Sequence, residues 1–594
     1  MGRVKLVLND SRNYWKELYP VQNGEVYDYK EFINHINQND EKLYSDLMEK
    51  MKELCWNYKN KLEKKPAVLD VYKIYKLINS IINSNYTTKE IDTKFFSEDE
   101  DPIKEFIANI INENNNDEFT DIEVDIVKGS IYKIKKYFLE NNKIKDIRGG
   151  STIIDYLNIE LVKQKLAELN LNEENLIYSG GGNIFLVVPK GNGAKICENL
   201  EKAFTEISLT AMNAFEYITV TLNDLAFNFK SVSSKVTRIL EDRKKIKIYK
   251  INPDNNLKKI MKDNKPFISW ENYKENKELI DKKVVCELCN IRDAKYKINE
   301  AETIAACPSC LRKHIAGKKK SLFFSEYEKF INKNMKYKNE INTLKDISED
   351  IAIIYGDGNN MGKIVMQINN VFEMMYFSRK TDETTKKSVY KAIYDVMGTE
   401  ARFEVIALGG DDIFIIVPAK YAIEITTKII DNFNSKFNDE ITMSASIIIS
   451  NYNTPISSTF KIAQDKLKSA KKILRNNEAI KDGSIDLIEI IGSSNLVESD
   501  NIRLFPKTNK DFKKIVKLLR EFKEKDEGKT QIHKMSYAQK NMEEQEFELF
   551  FHYQESRNNN SLKKLIIELT DIKKENFSAI NAPWDDLIML WDWI

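Results

Sequence analysis

Residues 406–417, IALGGDDIFIIV, and residues 177–188, IYSGGGNIFLVV, share one frame, and only the first copy carries charge. Each reads as an apolar strand, a glycine turn and a second apolar strand, the pattern of a β-hairpin inside a buried sheet. At an offset of 229, Ile406, Gly409, Gly410, Ile413, Phe414, Val417 and Pro418 match Ile177, Gly180, Gly181, Ile184, Phe185, Val188 and Pro189. The same offset, without a gap, sets Gly358 of IIYGDGNN on Gly129 of DIVKGSIY. Both copies continue into an amphipathic helix (AKICENLEKAFTEI, YAIEITTKIIDNF) and then a strand (YITVTLND, ITMSASIIIS). The duplication predicts an α+β chain with two ferredoxin-like, β-α-β-β-α-β palm domains.

The charged copy poses a chemical problem. Asp411 and Asp412 stand inside an apolar segment, where ionised carboxylates are costly unless neutralised. In the expected topology the strand IAIIYGD brings Asp357 beside them. Three converging carboxylates suit hard divalent cations, Mg²⁺ or Mn²⁺. Two such ions about 3.5–4 Å apart bridge attacking and leaving oxygens in nucleotidyl transfer. The glycines Gly409 and Gly410 allow a tight turn and close approach of a ligand. GDGNNMGK, with Gly358, Asn359, Asn360, Gly362 and Lys363, opens a helix whose free N–H groups suit a triphosphate. Lys471, in AQDKLKSAKKI, is a candidate to neutralise phosphate charge. At the matched positions the first copy has Lys128, Gly182 and Asn183, a set that holds no pair of metal ions but leaves room for a nucleotide.

A second constellation is CELC with CPSC, giving Cys286, Cys289, Cys307 and Cys310 in a C-x2-C-x17-C-x2-C arrangement. That spacing predicts a closed, structural four-thiolate Zn²⁺ site. The other cysteines, Cys55 and Cys197, read as ordinary buried residues, and His314 as a surface residue or a weak further zinc ligand.

The expected domains are a helical N-terminal region (1–120), a degenerate first palm (121–240), a zinc-binding insert (241–345), the GGDD palm (346–500) and a C-terminal helical domain (501–594). Ninety-two basic residues nearly balance 91 acidic ones, so any nucleic-acid contact must be local. RKKIKIYK (243–250) and LRKHIAGKKKS (311–321) are the candidate stretches. Trp584, Trp591 and Trp593 are expected in packing or a subunit interface. No apolar run has membrane-spanning length and no signal peptide is evident, so a cytoplasmic, membrane-free protein is expected.

GDGNNMGK, LGGDDIF, the four-cysteine insert and the upstream RGGS and GGGNIF together resemble one family over roughly 121–500. It is the large polymerase/cyclase subunit of type III CRISPR effector complexes, nearest the type III-B form. The resemblance implies two palms that each bind a nucleotide, with ATP joined into cyclic oligoadenylates, a second messenger, when the guide RNA pairs with target RNA. It implies Asp357, Asp411 and Asp412 as metal-bearing residues and Gly180, Gly181, Gly182 and Asn183 against an acceptor nucleotide. Guide-RNA complex subunits, guide and target RNA, and nucleotides are the implied partners. Many members begin with an HD nuclease domain, which needs an adjacent His-Asp pair. None of His35, His314, His533 and His552 is followed by Asp, so no DNase activity is expected of this chain.

Some members resembling this chain transfer AMP to S-adenosylmethionine instead, using the same palm. A catalytically silent scaffold of the RNA-guided complex is a reading of a different class; three mutually repelling carboxylates argue against it. A diguanylate cyclase shares the GGD hairpin but has no second palm in the same chain, and Asp412 stands where its glutamate is expected.

Overall fold

A computed structural model describes residues 123–594 apart from short internal stretches, the longest being 246–257 and 491–502. The expected helical region 1–120, with Cys55 and His35, lies outside the described residues. The chain forms two compact units. One holds residues 149–316 with 123–138 and 362–383; the other holds 317–361 and 384–594 with 139–148.

In the first unit, β1 (Glu123–Tyr132), β2 (Leu176–Gly180), β3 (Asn183–Pro189) and β4 (Met212–Thr221) form a sheet in the order β2-β3-β1-β4. The central strand β1 is antiparallel to both β3 and β4. Helices α1 (Gly193–Ser208) and α2 (Phe229–Lys245) cover opposite faces. Asp125 of β1 accepts from the Gly193 N–H at the start of α1 (2.9 Å), while Lys128, on the other face, donates to Thr237 of α2 (2.7 Å). Two covered faces explain why β3 buries Ile184–Val188 in an unbroken run.

The insert adds β5 (Lys259–Lys262) with β6 (Lys265–Ser269), β7 (Tyr296–Asn299) with β8 (Thr303–Ala306), and helix α3 (Pro308–Ala316). Here two sequence expectations fail. Arg312 and Lys313 are buried rather than offered to RNA. The Arg312 guanidinium lies over the Trp270 ring at 4.3 Å and donates to the Ile207 carbonyl at the end of α1 (2.8 Å). Lys313 donates to the Tyr137 carbonyl. Their cationic heads satisfy backbone carbonyls that would otherwise be buried unpaired. His314 is also buried, 3.0 Å from Glu300, and not on the surface. In the other basic stretch Arg243 pairs with Glu201 (3.0 Å), Lys244 with Glu241 and Lys245 with Asp242; 246–250 lie outside the described residues.

In the second unit, β9 (Asp350–Gly358), β10 (Glu404–Gly409), β11 (Asp412–Pro418), β12 (Met443–Asn451), β13 (Ser484–Ile490) and β14 (Lys507–Thr508) form one sheet, ordered β10-β11-β9-β12-β13-β14. Helix α4 (Ile456–Asn476) is the crossover that lets β13 run parallel to β12. One hydrophobic cluster joins Ile413, Ile447 and Leu487 of this sheet to Phe512, Leu519, Phe551, Trp584 and Trp591 of the C-terminal helices. Trp584 and Trp591 are packing residues, as expected, and Trp593 is partly buried against the same core. Among the described residues, no helix is long and apolar enough to cross a membrane.

Candidate nucleotidyl-transfer site and cysteine cluster

The charged hairpin is placed by register. Gly409 pairs with Asp412 across a two-residue turn, Gly410-Asp411, and Gly410 takes a φ of +59° that favours glycine. On its other side Asp412 pairs directly with Asp357 of β9, and Asp357 pairs with Ser444 of β12. A Cβ added at Gly358 would come 3.0 Å from the Asp411 Cβ and 2.7 Å from the Met361 Cγ, so this glycine permits the close approach. The three expected aspartates therefore converge.

Their electrostatics agree. Burial first, then Asp357, then Asp412, push the Asp411 carboxyl up to about 7. Lys471, from α4, makes an ion pair with Asp357 and donates to the Gly358 carbonyl at 2.7 Å. Carboxylates that raise one another's proton affinity in this way are short of positive charge. The residues fit a divalent ion on this ground, and Asp357, Asp411 and Asp412 are those that would hold it.

The glycine-loop residues divide. Asn360 has φ +56°, turning the chain out of β9. Gly362 and Lys363 follow in the short helix Met361–Val365, within the other compact unit. Asn359 is turned inward. Its N–H donates to the Thr442 carbonyl (2.8 Å), its Nδ2 to Thr442 Oγ1 (2.9 Å), and its Oδ1 accepts from Ser444 Oγ (2.9 Å). The Asn359 backbone N–H and one of its two Nδ2 hydrogens are thus taken by Thr442 and not offered to a phosphate.

In the first unit the blank hairpin turns at Gly181 and Gly182, with φ of +56° and +81°. Gly180 and Gly181 are open, with no atom within 4 Å of where a Cβ would stand, whereas a Cβ at Gly182 would meet Ile134 at 2.3 Å and the Ile131 carbonyl at 2.6 Å. The Gly182 carbonyl accepts from Ile131 N–H, also at 2.6 Å. Asn183 pairs with Ser130, not with Lys128. Register corrects the ungapped match: Ile413 faces Gly356 and Ile184 faces Gly129, so Ser130 stands where Asp357 does. Lys128 takes the place of Tyr355. Tyr355 packs with Phe414 and Phe460 of α4, as Phe185 beside Lys128 packs with Phe229 of α2.

The cysteines form a separate centre. Cys286, Cys289, Cys307 and Cys310 are buried and their sulfurs lie within 4.8 Å of one another. Among the described residues this is the sole group of metal-ligating side chains that close; the aspartate oxygens, with Lys471 on Asp357, stand wider apart. The knuckle is set by Cys286 N–H donating to the Arg292 carbonyl (2.8 Å) and Asn290 N–H to the Cys286 carbonyl (2.8 Å). The Arg292 side chain then reaches over the cluster, its Nε 3.4 Å from Cys307 Sγ. Sequence reasoning passed over this arginine. Cys197 is half-buried, and burial pushes its thiol up, away from thiolate chemistry.

Residues 350–480 match the family model for the Cas10/Cmr2 second palm domain, and residues 123–266 match that for Csm1 subunit domain B. Over these two stretches the chain is similar to the Cas10 family of large type III CRISPR subunits. A Streptococcus thermophilus relative, a "CRISPR system single-strand-specific deoxyribonuclease Cas10/Csm1 (subtype III-A)", is 23% identical over 362 residues. That match takes in 53% of this chain and 47% of the relative, so the chain spans about half the length of the curated relative it matches. The apo Csm1–Csm4 cassette is similar in fold, with a TM-score of 0.52 at 13% identity, covering 88% of this chain and 74% of that one. A Csm1–Csm4 cassette in complex with cA3 gives 0.51 at 12% identity, covering 89% and 81%. These Cas10 relatives are Csm1 proteins, where the sequence motifs pointed to III-B. The second-palm model is described for Cas10 and Cmr2 alike, and the upstream match is to a Csm1 domain.

Proposed function

We propose that this chain is a metal-dependent nucleotidyltransferase of a type III CRISPR complex that makes cyclic oligoadenylate from ATP upon target RNA recognition. The observation that carries it is the register of Asp412 on Asp357 with Asp411 in the adjoining turn and Lys471 against Asp357. Both strand orders support a pair of ferredoxin-like palms, the second extended by β13 and β14. Asp357, Asp411 and Asp412 hold the metal, Gly410 stands open beside them, and the bare Gly358 lets the Asp411 turn pack close. Mg²⁺ or Mn²⁺ bound there supplies positive charge for the attacking hydroxyl and the departing phosphate. Lys471 brings the positive charge that a triphosphate beside Asp357 meets. In the first palm the open glycines Gly180 and Gly181, with exposed Asn183, suit a nucleotide base or sugar. The four cysteines hold a structural Zn²⁺, with Arg292 offsetting thiolate charge. The related cassette solved with cA3 supports this reading at the level of fold.

The test gives the purified complex α-labelled ATP, Mg²⁺ or Mn²⁺ and matching target RNA, with and without S-adenosylmethionine. Cyclic oligoadenylate from ATP alone is expected. A product that requires S-adenosylmethionine assigns the AMP-conjugase chemistry instead. Undiminished product from the Asp411→Ala, Asp412→Ala variant refutes the site.

A further inference from the structure

Beneath the aspartates runs a buried polar chain that the proposed chemistry does not use. Asn359, two residues after Asp357, is fixed to Thr442 at both its N–H and its Nδ2. Its Oδ1 accepts from Ser444 Oγ at 2.9 Å, and Ser444 is the β12 residue paired with Asp357 itself. Ser444 Oγ in turn accepts from the Ser484 N–H (3.2 Å) and lies 2.9 Å from Ser484 Oγ. Ser484 Oγ donates to the Ala470 carbonyl at 2.8 Å. Ala470 immediately precedes Lys471. The chain therefore starts two residues past one end of the Lys471–Asp357 ion pair and finishes one residue before the other. Ser444 and Ser484 are fully buried, so each lost partner leaves a polar group stranded.

The duplicated palm supplies an independent observation. By register, Asn359, Thr442 and Ser444 correspond to Tyr132, Met212 and Ala214 in the first palm. Ser484 belongs to β13, for which the four-stranded sheet has no counterpart. The polar chain and the three carboxylates are present together in one palm and absent together from the other.

We propose that Asn359, Ser444 and Ser484 are positioning residues for nucleotidyl transfer: they lock the turn of α4 that carries Lys471 to the strand end that carries Asp357. A free α4 turn would let Lys471 drift by the ångström that costs rate in a preorganised site. The idea rests on the reading of the aspartates as the reacting site.

The experiment uses the full chain in its complex and measures turnover of labelled ATP, its KM, and Mn²⁺ binding by the loss of the free-ion paramagnetic resonance signal. Asp357→Asn is the control for the site. If it leaves turnover and Mn²⁺ binding unchanged, the reading of the site fails, whatever the serines do. With that control behaving as a site residue, Ser484→Ala is expected to lower kcat about fivefold to tenfold with KM for ATP within about twofold, the scale of one buried hydrogen bond. In a Lys471→Ala background the same Ser484→Ala change is expected to have no further effect on kcat, because its action passes through Lys471. Ser484→Thr, which keeps the hydroxyl, restores the rate. If Ser484→Ala lowers only the melting temperature, or lowers kcat equally in both backgrounds, Ser484 is merely structural and the proposal is overturned.

Discussion

The two palms share a hairpin and the order of four strands, yet one gathers charge and the other lacks its carboxylates. The difference is not confined to the turn. In the second palm Asp357 and Asp412 face each other across β9 and β11, Lys471 descends from α4, and β13 adds a strand. In the first, Ser130 and Asn183 hold the equivalent places, Lys128 is drawn to Thr237, and the sheet stops at four strands. Burial and the neighbouring Lys244 bring the Lys128 ammonium down to about 8, so it is a partly desolvated group committed to its own helix. The proposed metal site thus comes with a supporting framework, and the palm that lacks its carboxylates lacks that framework too.

Exchanging residues between the palms tests this contrast, and the largest effect falls on turnover. Asp411→Ala with Asp412→Ala is expected to reduce product formation on the order of a thousandfold or more, the scale of losing metal-borne charge stabilisation, while Asn183→Ala changes KM with kcat within about twofold. Labelled-ATP assays of both variants decide it; equal losses from both would erase the distinction between the palms.

Next in size is the turn itself. Gly182→Asp places a side chain at positive φ against Ile134 and the Ile131 carbonyl, and is expected to destabilise the fold by roughly 2–4 kcal/mol in a denaturant titration. Gly181→Asp, in open space but also at positive φ, is expected to cost about 1 kcal/mol.

A gain of function probes the register. Ser130→Asp with Asn183→Asp sets two carboxylates opposite each other and is expected to add a weak Mn²⁺ site, roughly millimolar, in a resonance titration. Lys128→Asp with Asn183→Asp is expected to add none.

The smallest effect concerns pH. Asp411 rises from 3.8 to about 7 in the metal-free fold, so between those values the folded state holds a proton that the unfolded state has released. Stability falls as pH rises through that window, and the whole cost is present above about pH 7. Asp411→Asn is expected to raise the metal-free melting temperature by roughly a few degrees above pH 7 and to leave it unchanged below about pH 4. A shift that persists at low pH would show that the aspartate's charge is not the cause.

Much of this was legible in the chain because it is local. The glycine hairpins, the Asp411–Asp412 pair and each C-x2-C knuckle are set by residues a few positions apart. What failed depended on partners far away. Gly358 and Gly129 match in sequence, but the segment between strand and hairpin differs in length by two residues, and only strand pairing reveals it. Arg312 and Lys313 look like an RNA-facing stretch until carbonyls about 105 and 176 residues away claim them. Asn359 sits in a glycine-rich loop that looks open to phosphate, yet Thr442 and Ser444 occupy it.

The packed turn at Gly182 limits what the first palm can be given. With Ile134 and the Ile131 carbonyl against the bare glycine, an aspartate there has to displace a side chain and a carbonyl before it can offer any benefit. This half of the repeat is therefore sterically closed to the carboxylate its twin carries, while the neighbouring Gly180 and Gly181 stand open.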